Sequence, residues 1–337
     1  MTSKEAKIVV IGGGTGTYTV LRGLKKYTSN LTAIVTMMDS GGSSGRLRDE
    51  FGILPPGDVR QALIALSNES SLLRALFDYR YSKGEGLEGH SLGNLFLTAL
   101  AETTGGMDKA VEEAGTILNI KGRVLPITND NSTLVATYEN GLVVEGEGKI
   151  DEPEHNGELR IKTISLKPAA RAYPKSLEAI EQADLIIMGP GDLYTSLIPN
   201  LLVEGVAEAV EKSKAKKLYI INLMTKFGQT HGFKASNFVT EIEKYAGKCL
   251  DYVLINDKTL PEEIIKRYYE KDKETPVVDD LNGDSYKLVR NDFLAEGPIK
   301  RKSGDLLKRS LIRHDSDKLA KAIMEIVEEI CAESLGM

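Results

Sequence analysis

The feature that most constrains this chain is a short apolar run, Lys7-Ile8-Val9-Val10-Ile11, that breaks directly into Gly12-Gly13-Gly14-Thr15-Gly16-Thr17. A continuous apolar run of this length reads as a strand buried on both faces, as in a parallel sheet. The glycines let the backbone turn sharply, and helical spacing over residues 18–25 supplies the next element. Residues 32–38 repeat the buried-strand pattern, and so do 183–188, 218–222 and 252–256, with helical stretches at 203–212 and 237–245. Strands alternating with helices predict an α/β fold, a Rossmann-like doubly wound and mostly parallel sheet.

The texture changes in the middle. Residues 58–77 and 90–118 read as helices, and 123–166 as short strands with turn signals at Glu139-Asn140-Gly141 and His155-Asn156-Gly157. This is the pattern of an insertion, with a β-rich flap at one sheet edge. The expected organisation is one domain over residues 1–337, with its core at about 7–60 and 170–330 and a helical and β-rich insertion at about 61–169. Residues 270–310 are polar and punctuated by Asn282-Gly283-Asp284, Glu296-Gly297-Pro298 and Ser303-Gly304, so a long excursion or lid is expected there. Residues 315–329 have the spacing of an amphipathic helix.

Composition narrows the class. A net charge of -6 lacks the basic excess of a protein that coats nucleic acid. Two cysteines without a CxxC pair argue against a disulfide framework or a structural zinc, and suit a reducing compartment. The start of the chain has no room for a secretory signal, and no apolar run approaches the roughly 18 residues of a membrane span. A cytoplasmic location is expected, with no nucleic-acid or membrane partner; a homo-oligomer is left open.

Several loops fall at predicted strand ends. In the first, Gly13, Gly14, Thr15, Gly16 and Thr17 offer backbone N–H groups and hydroxyls to a phosphate at a helix N-terminus. Thr17 stands where a dinucleotide fingerprint wants glycine, and no Walker A lysine is present; a tight turn without ligand is the alternative. A Cβ at Gly16 is expected to obstruct the phosphate, so that Gly16→Val weakens binding more than folding. The second loop, Asp39-Ser40-Gly41-Gly42-Ser43-Ser44-Gly45-Arg46-Leu47-Arg48, follows the second strand. Asp39 is a ribose-binding acid, a metal ligand or a group that orients a substrate hydroxyl, while Ser43, Ser44 and Arg46 suit an anionic ligand. In Pro55-Pro56-Gly57-Asp58-Val59-Arg60, Asp58 is placed to cap a helix or to share a Mg2+ with Asp39. His90 and Asn94 in Gly89-His90-Ser91-Leu92-Gly93-Asn94, Gly189 and Gly191 after the 183–188 strand, and Asn222 and Thr225 after the 218–222 strand complete one shared cleft. Neither zinc-ligand spacing nor a GxSxG elbow occurs.

Taken in order, GGGTGT, DSGGSSGRLR, PPGDVR, GHSLGNLF, GPGDLYTS and NLMTKFGQTHGF resemble the gluconeogenesis-factor family (YvcK type), within the superfamily of 2-phospho-L-lactate transferases (CofD type). The resemblance runs from about Lys7 to Ile330. It implies a Rossmann-like core and a nucleotide-linked ligand at the edge formed by these loops. The factor branch binds UDP-sugars, notably UDP-N-acetylglucosamine, and supports cell shape and wall synthesis on gluconeogenic carbon sources without an established catalytic activity. The transferase branch moves a phospholactyl-type group from a nucleotide carrier to a deazaflavin, with a divalent metal on acids matching Asp39 and Asp58. The Asp39 loop and the tail Arg313-His314-Asp315-Ser316 are closer to the factor branch. There, Arg313 and Tyr268 are implied ligand contacts. Ser316 is implied as a phosphorylation site close to the ligand, although the family form is Thr. An NAD-dependent oxidoreductase is the third reading, weakened by Thr17 and by the basic loop after Asp39.

Overall fold

The computed structural model describes residues 2–283, 285–296 and 312–334. Its strands are β1 (Ile8–Gly12), β2 (Leu31–Val35), β3 (Arg123–Pro126), β4 (Thr133–Tyr138), β5 (Val143–Glu145), β6 (Ile161–Lys167), β7 (Leu185–Met188), β8 (Lys216–Ile220), β9 (Tyr252–Asn256) and β10 (Lys287–Asn291). The helices of its first half are α1 (Gly14–Leu24), α2 (Gly42–Phe51), α3 (Gly57–Leu66), α4 (Ser71–Phe77), α5 (Leu92–Thr104), α6 (Met107–Ile117) and α7 (Glu147–Asp151). Those of its second half are α8 (Pro174–Glu181), α9 (Ile198–Leu201), α10 (Val206–Lys212), α11 (Ala235–Ala246), α12 (Glu262–Asp272) and α13 (Ser316–Ser334), with a π-helical turn over Leu193–Leu197 leading into α9.

Seven strands form one sheet in the order β10-β9-β8-β7-β1-β2-β3, and every pairing in it is parallel. The predicted α/β class holds. Every residue of β1, β2 and β7 is buried, which is why those strands read as unbroken apolar runs. Helices cover the sheet: α1 packs against α3 and α13, and α13 turns Leu319, Ala320, Ile323 and Val327 into the core. A separate antiparallel sheet, β5-β4-β6, is an inserted subdomain. Arg123–Pro126, expected among the strands of the flap, pairs with β2 and extends the large sheet instead.

Other elements differ from expectation for local reasons. The 58–77 helix is two, because Ser67 leaves α3 in an extended conformation and the Ser70 hydroxyl accepts the Leu73 N–H to start α4. The 90–118 helix divides at Gly105, which takes a left-handed φ of 82°. β10 lies inside the expected 270–310 excursion and continues the sheet. Residues 297–310 of that expectation lie outside the described residues.

Winding places the ligand edge. From β1 the chain moves to β2 and β3 on one side, then returns to the other side of β1 for β7, β8, β9 and β10. The order reverses between β1 and β7, where open α/β sheets leave a crevice outside the strand carboxyl ends.

Candidate functional site

Both helices that follow the first two strands begin at this edge. α1 starts at Gly14, four residues earlier than its spacing predicts, and α2 starts at Gly42. Their N-caps, Gly13 and Gly41, have no side chain to satisfy the first-turn amides, so both helix N-termini open on the crevice with their positive ends. The second loop is therefore a helix start, with Ser43 and Ser44 buried rather than solvated.

Two acids brace these starts. The Gly14 N–H donates to Asp58 Oδ1 at 2.8 Å, and the Gly41 N–H donates to Asp39 Oδ1 at 2.9 Å. Asp58 is not the cap of α3, whose N-cap is Pro56; it sits in the first turn and reaches across to the glycine loop. Its carboxyl is pushed up to about 7 by withdrawal from water and then by the Asp39 charge. Withdrawal from water also raises Asp39, opposed by its hydrogen bonds to Gly41 and Ser44 and by the Arg60 and Arg48 charges.

A network stiffens the wall behind α2. Ser43 Oγ lies 2.9 Å from His90 Nδ1, and Asn94 Nδ2 donates to Ser43 Oγ at 3.1 Å and to Ser44 Oγ at 3.4 Å. Arg60 Nε donates to Asn94 Oδ1 at 2.9 Å, while its Nη1 pairs with Asp78 at 2.7 Å. Burial, then Arg46, holds His90 below the ordinary histidine range, which keeps the ring neutral near pH 7. Arg46 is exposed and donates to the Glu88 carbonyl at 2.7 Å; it closes the outer side of the wall and takes no part in the serine network. Arg48 does face Asp39, and its Nη1 is buried with no hydrogen-bond partner among the described residues.

The second half supplies the far wall. Asn222 clamps Gly191, accepting its N–H at 3.3 Å and donating to its carbonyl at 2.9 Å. Gly189 is left-handed, with φ 80°. A Cβ on Gly16 would overlap the Pro190 carbonyl oxygen, so Gly16 serves the closure of α1 on the 189–191 loop. That corrects the expectation that Gly16 reports mainly on phosphate. Gly14 has open space around it and a φ of 62°, so it is the glycine that faces the cleft. Thr15 is exposed at the first turn of α1, and Thr17 is buried with its hydroxyl against Gly12. Thr225 is tied to Thr275 by hydroxyl and backbone bonds of 2.7–3.1 Å.

Tyr268 and Arg313 come to the β8 side of this edge. Tyr268 is buried with Leu223, Leu260 and Ile312, and its hydroxyl accepts the Ile312 N–H at 3.1 Å. Arg313 follows Ile312 and is half-buried. Ser316 is placed elsewhere: its carbonyl packs on Gly23, roughly 14 Å along α1 from Gly14. A phosphate there would lie away from the glycine loop, on the side of the chain that carries Arg313 three residues earlier.

Sequence reasoning missed a group of charges on the cleft floor. Lys226 pairs with Asp151 and with Asp192, the latter at 2.8 Å, and Asp151 also accepts from Gln229 at 3.0 Å and Thr195 at 3.3 Å. Burial alone would lower the Lys226 pKa, but the two aspartates drive it upward. Glu147 accepts the Ser40 N–H at 3.3 Å and is raised well above the carboxylate range by burial, then by Asp39 and Asp151. Glu274 is raised to about 7, chiefly by burial. The one available signal was the pair Glu147 and Asp151, four residues apart; Asp192 and Lys226 lay inside motifs already singled out.

A model of the family described as 2-phospho-L-lactate transferase CofD matches residues 8–294. The chain belongs to the CofD family. Among relatives of this CofD-family chain, the gluconeogenesis factor of Bacillus subtilis strain 168 is 42% identical over 332 residues, covering 97% of this chain and 99% of its own. A Clostridium acetobutylicum relative is 44% identical over 328 residues, 96% of this chain and 70% of its own. A crystal structure of a Bacillus halodurans protein superposes with a TM-score of 0.86 at 39% identity, over 95% of this chain and 100% of that one.

Mg2+, implied for the transferase branch of the CofD superfamily, suits the chemistry of Asp39 and Asp58. Each has one oxygen committed to a backbone amide, and among the described residues no group of three or more His, Cys, Asp or Glu could hold a metal. Two carboxylates completed by ligand phosphates and water is how Mg2+ is commonly held, and the ion would supply charge neutralisation. The raised Asp58 gives a test with a definite sign. A carboxyl whose pKa is higher folded than unfolded stabilises the fold at low pH, and that contribution is lost as pH rises toward 7. The ligand-free CofD-family chain should therefore melt lower at pH 8 than at pH 5. Asp58→Asn, which can still accept from Gly14, should recover about 2 kcal/mol at pH 8 after allowance for solvent at the cleft mouth. Thermal melts across pH measure this; identical pH slopes for both proteins would refute the crowding of Asp58 and Asp39.

Proposed function

We propose that this chain is a nucleotide-sugar-binding factor of the gluconeogenesis-factor type, with UDP-N-acetylglucosamine as the model ligand. The observation that carries the reading is the convergence of two helix N-termini with glycine N-caps, at Gly14 and Gly42, on a crevice beside Arg48, whose Nη1 is buried with no hydrogen-bond partner among the described residues. Helix N-termini and a guanidinium with a free Nη1, its Nε on Asp49 at 3.5 Å, suit a diphosphate, and membership of a family whose relatives are named gluconeogenesis factors supports the assignment. In this reading Thr15, Ser44 and Arg48 face the diphosphate, while Arg313 and Tyr268 border the sugar or base. The role is cytoplasmic support of cell shape and wall synthesis on gluconeogenic carbon sources. The free cysteines Cys249 and Cys331 are compatible with that compartment, and no helix among the described residues is long and apolar enough to cross a membrane.

A second reading, transfer of a phospholactyl-type group from a nucleotide carrier to a deazaflavin, is favoured by the Asp39 and Asp58 pair alone. A thermal-shift panel separates the two. UDP-N-acetylglucosamine at a hundredfold excess over its dissociation constant should stabilise the chain by about 2.7 kcal/mol, with GDP, GTP and NAD giving far smaller shifts. Stabilisation by GDP with Mg2+ but not by UDP-sugars would move the chain to the transferase reading. Stabilisation by NAD alone would defeat both.

A further inference from the structure

α1 ends in a group of cations remote from the cleft. Arg22 of its last turn, with Lys25 and Lys26 just beyond its end, faces Arg74 of α4 across a cavity of about 490 Å³, with Tyr18 and Ile64 among its apolar lining. Lys26 pairs with Asp317, Lys25 donates to the Ser67 carbonyl at 2.7 Å, and Asp78, at the cavity wall, is engaged by Arg60. Among the described residues, Arg22 and Arg74 have no side-chain hydrogen bond or ion pair.

Cations at a helix C-terminus complement its dipole, and that accounts for Arg22 and Lys25 singly. It does not account for Arg74, which belongs to another helix and is brought against them. Like charges lining one cavity repel, and the chain as a whole carries net charge -6, so the cluster runs against the global balance. Lys25 registers the crowding. Its amine is lowered to about 8 by burial, and then by the charges of Arg74, Arg22, Lys121 and Lys26.

We propose that this cavity is a second ligand site, taking a small phosphate-bearing metabolite. Its volume lies within the usual range for small-molecule pockets. Two unpaired guanidiniums match phosphate oxygens bidentately, and the lysine amines add point charges. The apolar lining leaves room for the carbon skeleton of a phosphate ester. Lys25 lies eleven residues after Gly14, roughly 16 Å along α1, so one ligand does not bridge the cavity and the glycine loop through that helix.

Lys25 is also the reporter. At pH 8 a large share of its amine is neutral and open to acetylation, and a bound phosphate would protonate and cover it. The experiment follows acetylation of Lys25 in the full chain by mass spectrometry as inorganic pyrophosphate is added, with UDP-N-acetylglucosamine already present at saturation. Protection of Lys25 is expected, with Lys4 unaffected as an internal control. Arg22→Ala combined with Arg74→Ala should raise the pyrophosphate needed for half-protection by about tenfold or more, the loss of at least one charge-assisted contact. Arg74→Lys should retain much of the protection. The double variant should melt close to the parent, the relief of repulsion offsetting the loss of Arg22 at the α1 C-terminus; if it fails to fold, Arg74→Gln alone carries the comparison. Absence of protection at millimolar pyrophosphate would overturn the proposal. So would equal protection by sodium chloride at matched ionic strength, or an unchanged midpoint in the arginine variants.

Discussion

Gly16→Val should lower the melting midpoint of the ligand-free chain by about 4 °C or more, corresponding to roughly 3 kcal/mol for a chain of this size. The cause is backbone against backbone. Any Cβ at Gly16 enters the Pro190 carbonyl, and no rotamer change relieves a clash with main chain. The loop it meets is clamped by Asn222 at both Gly191 backbone groups, so it yields poorly. Gly14→Ala should behave differently. Its Cβ has open space, so the cost is the left-handed φ of 62°, about 1–2 kcal/mol, while the new methyl projects toward the ligand. Paired melts and ligand titrations of the two variants test the assignment. Equal stability losses would mean that α1 and the 189–191 loop are not closed on one another as described.

Arg60→Ala should cost about 3–5 kcal/mol and loosen the ligand site with it. The guanidinium is buried and joins Asp78 to Asn94, and Asn94 in turn donates to both Ser43 and Ser44. Removing it takes a cation away from the Asp78 carboxylate and a donor away from the Asn94 amide oxygen. Arg60→Lys can restore a charge near Asp78 but not the second contact through Nε, so partial rescue of stability with poor rescue of binding is expected. Denaturant melts give the first quantity and nucleotide-sugar titration the second. A variant that loses stability but keeps full affinity would show that the serine wall is not needed for the ligand.

The central strands were legible because burial on both faces writes itself into sequence as Ile-Val-Val-Ile or Leu-Ile-Ile-Met. β10 was not: Lys287-Leu288-Val289-Arg290-Asn291 is an edge strand only half-buried at Leu288 and Val289, so it carries no apolar run. The loops were legible because glycine clusters at strand ends leave few alternatives. Their internal wiring was not, since Asp58 meets Gly14 and Gly16 meets Pro190 only after the sheet is wound. Glu147 and Asp151 were hidden for a similar reason. They lie on a five-residue helix, too short to show periodicity, within a stretch whose turn signals read as a β-rich flap.

The position of β1 has a consequence for synthesis. Its neighbour on one side is β2, which follows within a few dozen residues, but its other neighbour is β7, which begins only at Leu185. At ribosomal rates that interval is on the order of ten to thirty seconds, during which a fully apolar strand has one row of backbone amides and carbonyls unpaired by its own chain. The growing polypeptide is therefore most exposed to aggregation while its insertion is being made, and the arrival of β7 closes that window.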